Sequence, residues 1–495
     1  MSRIVMRGTK HVRATLLGVV CMAVVMLALG LPTAAARGVT APAALNAGRH
    51  TIIIGPTGSD DTANIQGAFN VCTNHHWTCT IELMKGTYYT AQIATIGFQG
   101  SFVGAGQGQT VIQALPNLPP PTAACDTGTT PFWACAPGPQ NSYPVLLTFV
   151  NAAVEMSGMT ISEPYANPIP NGWGTGPSTF LDAMVLFTGL QDFVTVDHVA
   201  MMGGAGTDYD FGGTNVEDAF WYQGLLLPPD SSNYLTDMIP VTGTFSLTQS
   251  SVHSIGLPVS YDNVVNGRAS VCFNSFDLFS SNFFADMTDT SVVFCANRLT
   301  NVGLYNGFSA YDTWYKLSAG PSTIYVLGNY FQVGNGASPI DVAGFQTTPT
   351  LSAVISGNVG VTDTSCGCYD PTNSGLAAIL SYDLESAVIS NNVILGGVSP
   401  GIYVVGGPAT VSGNVVPGTY VGVWVDYANG VNVLGNVIKN SSEYGIAVTD
   451  GSSYNTVAYN FVQNSGVDDL YWDETGANNV WVKNICSASS PTGLC

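Results

Sequence analysis

The sequence is poor in charged residues, and basic ones are the scarcest. Charged residues make up 9% of the 495 residues, and 12 Lys and Arg stand against 32 Asp and Glu, for a net charge of −20. A surface of this sign repels nucleic acid and anionic lipid. It would also repel a polyanionic substrate unless a cation bridged the two. The composition therefore excludes nucleic acid as a partner and leaves uncharged or cation-bridged partners.

Apolar runs of membrane-spanning length are also missing after the first 36 residues. Arg3, Arg7, Lys10 and Arg13 precede an apolar run at 14–29, and "PTAAA" supplies an Ala-x-Ala cleavage site. This arrangement predicts a secretory signal peptide at 1–36, because the run is short for a span. A linker is predicted at 37–50. We expect a monomer that is secreted to the extracellular space or cell surface, and loss of the four leader cations would bring its net charge to −24.

Cysteines are few, but their number fits an oxidising compartment. Cleavage of the leader would remove Cys21 and leave ten of the eleven. Short separations predict three local disulfides: Cys72–Cys79, Cys125–Cys135 and Cys486–Cys495. Cys366 and Cys368 are left over, and their pairing stays open because a bridge between them would be strained.

Leucine ladders and 3.6-residue periodicity are both absent, which excludes leucine-rich and helical repeats. An asparagine recurs instead, after an apolar residue and two small or mixed ones and before another apolar position, as in "VSGNVV" and "VLGNVI". Its tightest intervals are 22 to 24 residues, and longer ones imply loop insertions. The column comprises Asn274, Asn297, Asn329, Asn358, Asn392, Asn414, Asn436, Asn460 and Asn484. This period predicts coils of three short strands, stacked so that each Asn bonds its neighbours above and below.

Two cysteines give an independent check on this stacking. Cys272 and Cys295 each stand two residues before a column Asn and are one coil apart. Stacked coils would bring their Cα atoms near the distance that a disulfide requires. A fourth disulfide, Cys272–Cys295, is therefore predicted.

The repeats over roughly 270–485 and the start of the mature chain resemble right-handed parallel β-helix proteins of the pectin-lyase-like superfamily. "GSDDTANIQGAFN" (58–70) resembles the short helix that caps the first coil in that family, and "IELMKGTYYTA" and "FVGAGQGQTVIQ" resemble its first strands. The resemblance implies an all-β fold over 51–485, with the cap and first coils at 51–115 and a disulfide-closed tail at 486–495. No subfamily motif is present, and the fold carries lyases, hydrolases, epimerases and adhesins alike.

One face of the helix is the candidate groove. In the strands "GIYV", "GVWV" and "GIAV", alternation turns Ile402, Val423, Ile446 and Leu470 inward. The outward residues proposed to bind substrate are Tyr403, Trp424, Asp426, Tyr471 and Asp473. Aromatic rings interleaved with carboxylates suit a sugar chain, although aromatics and Thr are also good exposed strand residues. The resemblance implies that this face forms the substrate groove.

A long insertion at 200–240 is the second candidate region. The resemblance implies that it overhangs the groove. Its acids are Asp208, Asp210, Glu217 and Asp218, and its rings Trp221 and Tyr222 are predicted to bind substrate. Paired carboxylates serve glycoside hydrolysis, and close acids such as Asp208 and Asp210 are also calcium ligands. A solvated acidic loop is the alternative. Calcium is therefore a candidate cofactor, and no cofactor is assigned to the protein.

Basic candidates are few. Alignment by repeat places His198 in the Asn column, and His253 beyond the third strand near the loop-bearing edge, as an acid–base candidate. Lys316 is the base nearest the groove. Arg268 and Arg298 are predicted to lie outside the groove. The arginine pattern of pectate lyases and the motif blocks of polygalacturonases are absent.

Two hypotheses follow. The first is a secreted enzyme acting on a polysaccharide or other glycan, either a hydrolase or a lyase or epimerase using calcium with His253 or Lys316. The hydrolase would use two carboxylates from the set Asp182, Asp208, Asp210, Glu217, Asp218, Asp262 and Asp312. The second is a non-catalytic surface protein that uses the aromatic stripe or the loop for adhesion.

Overall fold

Alternation of buried and exposed residues marks short strands along the chain. In the segment 191–202, for example, Val194, Val196 and Val199 are fully buried between partly exposed neighbours. The computed structural model describes residues 50–115, 145–164, 181–203, 216–226, 238–279, 281–302, 306–312, 320–333, 338–344, 350–362, 377–397 and 399–495. All of them belong to one unit, Arg49–Cys495.

The strands of each coil form three faces, which we name by their order in the coil. The first-strand face consists of fourteen parallel strands: Ile93–Ile96, Val145–Val150, Leu181–Gly189, Val216–Leu226, Leu257–Val265, Asn282–Thr288, Phe308–Tyr311, Ile340–Ala343, Ile379–Tyr382, Ile402–Val405, Val423–Asp426, Tyr444–Thr449, Asp468–Trp472 and Ser489–Ser490. Met238–Ile239 pairs antiparallel with Val216–Leu226.

The second-strand face comprises His50–Ile54, Thr78–Leu83, Gln99–Gly104, Thr242–Thr248, Arg268–Cys272, Ser291–Cys295, Ser322–Leu327, Leu351–Ser356, Ser386–Ser390, Ala409–Ser412, Asn432–Leu434, Thr456–Ala458 and Val480–Val482. The third-strand face comprises Gly86–Thr90, Thr110–Ala114, Ser251–His253, Ser275–Phe279, Arg298–Val302, Tyr330–Val333, Val359–Thr362, Val393–Leu395, Val415–Pro417, Val437–Lys439 and Phe461–Gln463. Ala153–Ser162 and Gln191–Met202 run through both faces and join them into one 26-stranded sheet. The predicted parallel β-helix fold is thereby confirmed.

The Asn column forms a continuous hydrogen-bonded ladder. The backbone N–H of Asn414 and its Nδ2 both donate to Oδ1 of Asn436 at 2.9 Å, and Nδ2 also donates to the carbonyl of Ile389. Its own Oδ1 accepts the matching pair from Asn392. The same pattern joins each column Asn from 274 to 484 to the next. Every donor and acceptor of the side-chain amide is hydrogen-bonded, so burying these groups carries no free-energy penalty for unpaired polar atoms.

The residue before the ladder position adopts left-handed backbone in every described coil from 158 onward. Its φ lies between 48° and 68° at Gly158, His198, Gln249, Phe273, Ala296, Gly328, Gly357, Asn391, Gly413, Gly435, Tyr459 and Lys483. Glycine takes this conformation without strain, which explains the recurrent Gly-Asn pair. His198 therefore stands before the column and not in it as predicted; the column residue is Val199, whose N–H donates to Ser250 Oγ. His198 is exposed and contacts Asp197.

The core is apolar and is closed by a helix at one end. Helix Thr62–Asn74 buries Ile65, Ala68, Phe69 and Cys72, and the Phe69 ring meets Phe98 with centroids 5.0 Å apart. The predicted capping helix is thus confirmed. No helix in the described part of the chain is long and apolar enough to span a membrane.

Three of the predicted disulfides are present. Cys72–Cys79, Cys272–Cys295 and Cys486–Cys495 have Cα separations of 6.0, 4.6 and 5.4 Å. The middle bridge joins residues paired in register on adjacent coils, as the repeat predicted. Cys125–Cys135, Cys366 and Cys368 lie outside the described residues.

Asn414 offers a direct test of the ladder. We expect Asn414→Ala to lower the free energy of unfolding by about 3–5 kcal/mol, because it strands the Asn392 donors and the Ile389 carbonyl in the interior. Urea unfolding followed by circular dichroism measures the change. Asn432→Ala, at a partly exposed strand position in the adjacent coil, is the matched control. Equal losses in the two variants would contradict the ladder's role.

Asp192 links stability to pH. It is fully buried, Oδ1 accepts the N–H of Ala152, and Oδ2 has no partner among the described residues. Burial raises its pKa from 3.8 to about 8. The folded chain keeps this proton between those values while the unfolded chain releases it, so stability falls by up to about 1.4 kcal/mol per pH unit as pH rises.

We expect Asp192→Asn, which cannot ionise, to gain stability relative to the wild type as pH rises from 4 to 8 and to show a constant difference above 8. Thermal unfolding across this pH range measures it. A difference that did not change with pH would show that Asp192 is ionised in the folded protein.

Candidate functional site

The register of the first-strand face agrees with the predicted stripe. Tyr403 pairs with Trp424, Trp424 with Ala447, and Ala447 with Tyr471 along successive coils. The predicted inward column Ile402, Val423, Ile446 and Leu470 is fully buried. The stripe residues therefore occupy the outer surface of this face, as alternation predicted.

Hydrogen bonds within the stripe hold it in one arrangement. Tyr403 Oη donates to Asp426 Oδ2 and Thr449 Oγ1 donates to Asp426 Oδ1, both at 2.7 Å, while Trp424 Nε1 donates to Thr449 Oγ1 at 2.8 Å. The Tyr403 and Trp424 rings lie 4.9 Å apart. Tyr403 and Asp426 are buried, whereas Trp424 is half-buried. The network fixes the rings before any ligand arrives.

The last predicted stripe residues lie beside this network. Tyr471 stacks on Tyr444 with centroids 4.3 Å apart, and both rings are half-buried. Asp473 accepts the N–H of Asp450 at 2.7 Å. A hydrogen bond to Asp426 raises the pKa of Asp450. A half-exposed aromatic pair bordered by carboxylates is a surface on which a sugar ring can stack.

A second group of residues lies at mid-helix on the same face. Asp262 and Asp286 lie within two successive first strands and Asp312 directly follows the next one, at 24- and 26-residue spacings, and all are buried. Asp341 belongs to the following coil. We name Asp262, Asp286, Asp312 and Asp341 the carboxyl row. Adjacent strands place neighbouring members about 4.8 Å apart along the helix axis.

Burial sets the protonation of Asp262. Burial and, second to it, the neighbouring charge of Asp286 raise the pKa of this carboxyl from 3.8 to about 8, while a hydrogen bond from Trp221 opposes the rise. Asp262 is therefore protonated at neutral pH. A carboxylic acid that keeps its proton at this pH can donate it to a bound group.

Asp341 has a smaller shift because it is hydrogen-bonded. Tyr311 Oη and Asn306 Nδ2 each donate to Asp341 Oδ2 at 2.9 Å. Burial raises the pKa of Asp341 to about 6, and the two hydrogen bonds oppose that rise. The row thus holds carboxyls of different proton affinity on one face, as acid–base chemistry requires.

Several sequence-predicted residues fall in or near this row. Trp221 is half-buried against Val145, Ala183 and Leu186 on the coils before it. Asp218 is buried at the start of the same strand, Val216–Leu226, which also contains Glu217. The segment predicted as an overhanging loop is in this part a strand of the first-strand face.

Other predicted residues do not belong to the site. Tyr222 is buried in the core, where its ring stacks on Tyr261 at 5.0 Å, so its prediction as a substrate contact was wrong. Alternation turns it inward. His253 is the last residue of a third strand and not beyond it; Nδ1 lies 3.1 Å from Asp277 Oδ2 on the third-strand face, off the groove.

The remaining predictions stay untested. Asp208, Asp210 and Lys316 lie outside the described residues, and the side chains of Asp182 and Glu217 are likewise not described. Calcium binding by Asp208 and Asp210 stays a prediction. Among the residues that are described, no group of three or more His, Cys, Asp or Glu could hold a metal ion.

Sequence reasoning missed Asp286, Asp341, Gln223 and Asn263. A signal for Asp286 was present, since it falls one coil from both Asp262 and Asp312. Gln223 pairs with Asp262 in register, and Asn263 directly follows it. The amides of Gln223 and Asn263 do not recur at the coil spacing, so no repeat pattern predicts them.

Comparison with known proteins adds a partial family match. The profile of one family, described as periplasmic copper-binding protein (NosD), matches residues 362–491, about a quarter of the chain. A search of curated protein sequences finds no match.

Solved structures show similarity over most of the chain. The catalytic unit of a thermostable GH87 alpha-1,3-glucanase from Streptomyces thermodiastaticus is 13% identical, covering 90% of this chain and 70% of its own, with a TM-score of 0.48. A mannuronan C-5 epimerase A-module from Azotobacter vinelandii is 14% identical, covering 87% and 93%, with a TM-score of 0.33. The periplasmic alginate epimerase AlgG is 11% identical, covering 69% and 78%, with a TM-score of 0.39. These activities belong to those proteins.

Tyr311 gives a test of the site's electrostatics. We expect Tyr311→Phe to raise the pKa of Asp341 above about 6, because it removes a hydrogen bond that stabilises the ionised form. Titration of carbon-13-labelled aspartate by NMR measures it. Tyr403→Phe, which releases a bond to Asp426 instead, should leave Asp341 unchanged. A Tyr311→Phe value at or below that of the wild type would refute this account.

Proposed function

We propose that this protein is a secreted glycoside hydrolase that binds a polysaccharide along the first-strand face and cleaves it at the carboxyl row. The observation that carries the proposal is the occurrence of four carboxyls, three of them buried and Asp341 partly buried, on four successive coils of one face. Buried carboxyls are rare unless structure or function requires them. The three disulfides fit an oxidising compartment outside the cytoplasm.

Hydrolysis of a glycosidic bond needs one carboxylic acid and one carboxylate. Asp262, which keeps its proton at neutral pH, donates it to the oxygen of the leaving sugar. Asp286 is the partner carboxyl on the adjacent coil, and its negative charge is one cause of the raised pKa of Asp262. Asp286 acts as the base or as the nucleophile. Asp312 lies one coil further on and is the next carboxyl of the row.

The aromatic stripe extends the carboxyl row into a binding surface. Asp341 pairs in register with Leu380, and Leu380 pairs with Tyr403, so Asp341 lies on the same column of the first-strand face as the stripe rings. A polymer lying along this column would stack sugar units on Trp424 and Tyr471 while another unit reaches the row. Binding of remote units positions the bond to be cleaved.

A lyase or epimerase is less well supported. Abstraction of a proton beside a uronate carboxylate calls for a basic residue, and the described strands of the first-strand face contain no Lys, Arg or His. Arg268 begins a second strand and Arg298 a third strand, both exposed. His253 also lies off this face.

Copper binding, named for the matching family, has no support in the described residues of the matched segment, and Cys366 and Cys368 of that segment lie outside them. Residues 362–491 contain no His and no Met, the side chains that copper sites in proteins use most with Cys. Cys486 is held in a disulfide. We therefore derive no step through copper. A non-catalytic glycan-binding role is the alternative, and the half-exposed Tyr444–Tyr471 stack would serve it.

Asp262 tests the catalytic assignment. Wild-type protein incubated with a panel of polysaccharides should release reducing ends, and Asp262→Asn should lower kcat/KM by about 10²–10⁴-fold while the fold and polysaccharide binding persist. Because the acid must be protonated, wild-type kcat/KM should fall as pH rises through about 8. Asp277→Asn, on the third-strand face, is the control. Binding without released sugar ends by the wild type would support the adhesion alternative.

A further inference from the structure

Two amide side chains beside the carboxyl row are buried without hydrogen bonds. Gln223 and Asn263 are each 1% exposed. Neither the oxygen nor the nitrogen of either amide has a partner within the described chain. Native interiors pair nearly all such groups, as the fully satisfied Asn ladder of this same molecule does. Amides left unpaired at one place are the mark of a site held ready for a ligand.

The two amides flank one carboxyl. Gln223 and Asp262 are register partners on adjacent first strands, and Asn263 follows Asp262 in sequence with φ 53°. This left-handed backbone takes Asn263 out of the strict alternation of the strand. The unpaired amides therefore lie within one coil spacing of the proposed proton donor.

Charge decides what class of ligand these groups accept. The described strands of the first-strand face contain no basic residue, while the carboxyl row lies beside the amides. An anionic sugar would meet carboxyls without a counter-charge, and no described group of acids could hold a bridging cation. An amide offers both a donor and an acceptor, which matches the two hydrogen-bonding capacities of a sugar hydroxyl.

We propose that Gln223 and Asn263 form a hydroxyl-binding subsite for an uncharged sugar unit, placed next to Asp262, so that the protein selects neutral polysaccharides over polyuronates. The proposal rests on the proposed function of this face. It deepens that function by naming the class of substrate and two residues that position it. Gln223 and Asn263 orient the sugar and take no part in proton transfer.

Binding is the first measurement. In the Asp262→Asn background, calorimetry and affinity electrophoresis compare neutral probes (glucans, mannan and xylan) with polyuronates (pectate and alginate). We expect at least one neutral probe to bind and the polyuronates not to bind. Gln223→Met keeps the side chain's length and removes its hydrogen bonds, and it should weaken neutral binding tenfold or more. Gln332→Met, at an exposed position of the third-strand face, should leave binding unchanged.

Stability is the second measurement, because it separates a ligand-reserved amide from a structural one. A buried amide without partners destabilises the folded chain, so Gln223→Met should raise the midpoint of thermal unfolding while it weakens binding. Gln223→Glu should lower both, since it adds a buried carboxyl beside Asp262. A lowered midpoint for Gln223→Met would mean that the amide holds the coil together, and would overturn the proposal.

The outcomes keep this inference distinct from the proposed function. If the wild-type protein neither binds nor processes any glycan, both fail. If it binds a glycan and Gln223→Met binds equally well, or if it binds only polyuronates, the subsite proposal fails alone. Asn263→Asp, which preserves a residue type that tolerates left-handed backbone, should reduce neutral binding as Gln223→Met does.

Discussion

Direct stacking of one coil on the next is the constraint on which the structure depends. The Asn ladder enforces it, because each amide can satisfy all of its hydrogen bonds only when the next Asn lies directly above. A slip of one residue would leave two donors and the oxygen that accepts from both unpaired in the interior, and would turn the apolar strand residues toward water. Register on all three faces therefore follows from one column of side chains.

The same constraint creates the candidate site. Residues that share a position in the coil become neighbours across it, so carboxyls 24 and 26 residues apart in sequence come together on one face. Stacking also explains their altered acidity. Asp262 cannot move away from Asp286 or out into solvent, because its strand is paired on both sides. Asp262 therefore keeps its proton because the fold holds it in a buried position beside Asp286.

The sequence predicted the fold where the repeat is regular. Between 401 and 473 the coils have nearly constant length, and the strands, the inward column and the outward stripe were all predicted correctly. Before residue 274 the column carries Ser250 and Val199 in place of Asn, so the alignment slipped by one at His198 and a strand containing Trp221 was assigned to a loop. Only Asp262 and Asp312 of the carboxyl row were predicted, because its members lie at different strand positions in coils of unequal length. The burial that raises the pKa of Asp262 cannot be predicted from the identity of that residue alone.

The left-handed residue before each ladder Asn has a consequence for how such a chain can diversify. The bend between second and third strands has the same two-residue geometry in the described coils from 158 onward, so in those coils this edge holds no extra residues. Variation in coil length, from 22 to 34 residues between successive asparagines, must fall at the other two edges. Those edges border the first-strand face on both sides. One edge of the coil thus keeps a fixed length, whereas the two edges beside the first-strand face can accept inserted loops for recognition without disturbing the fold.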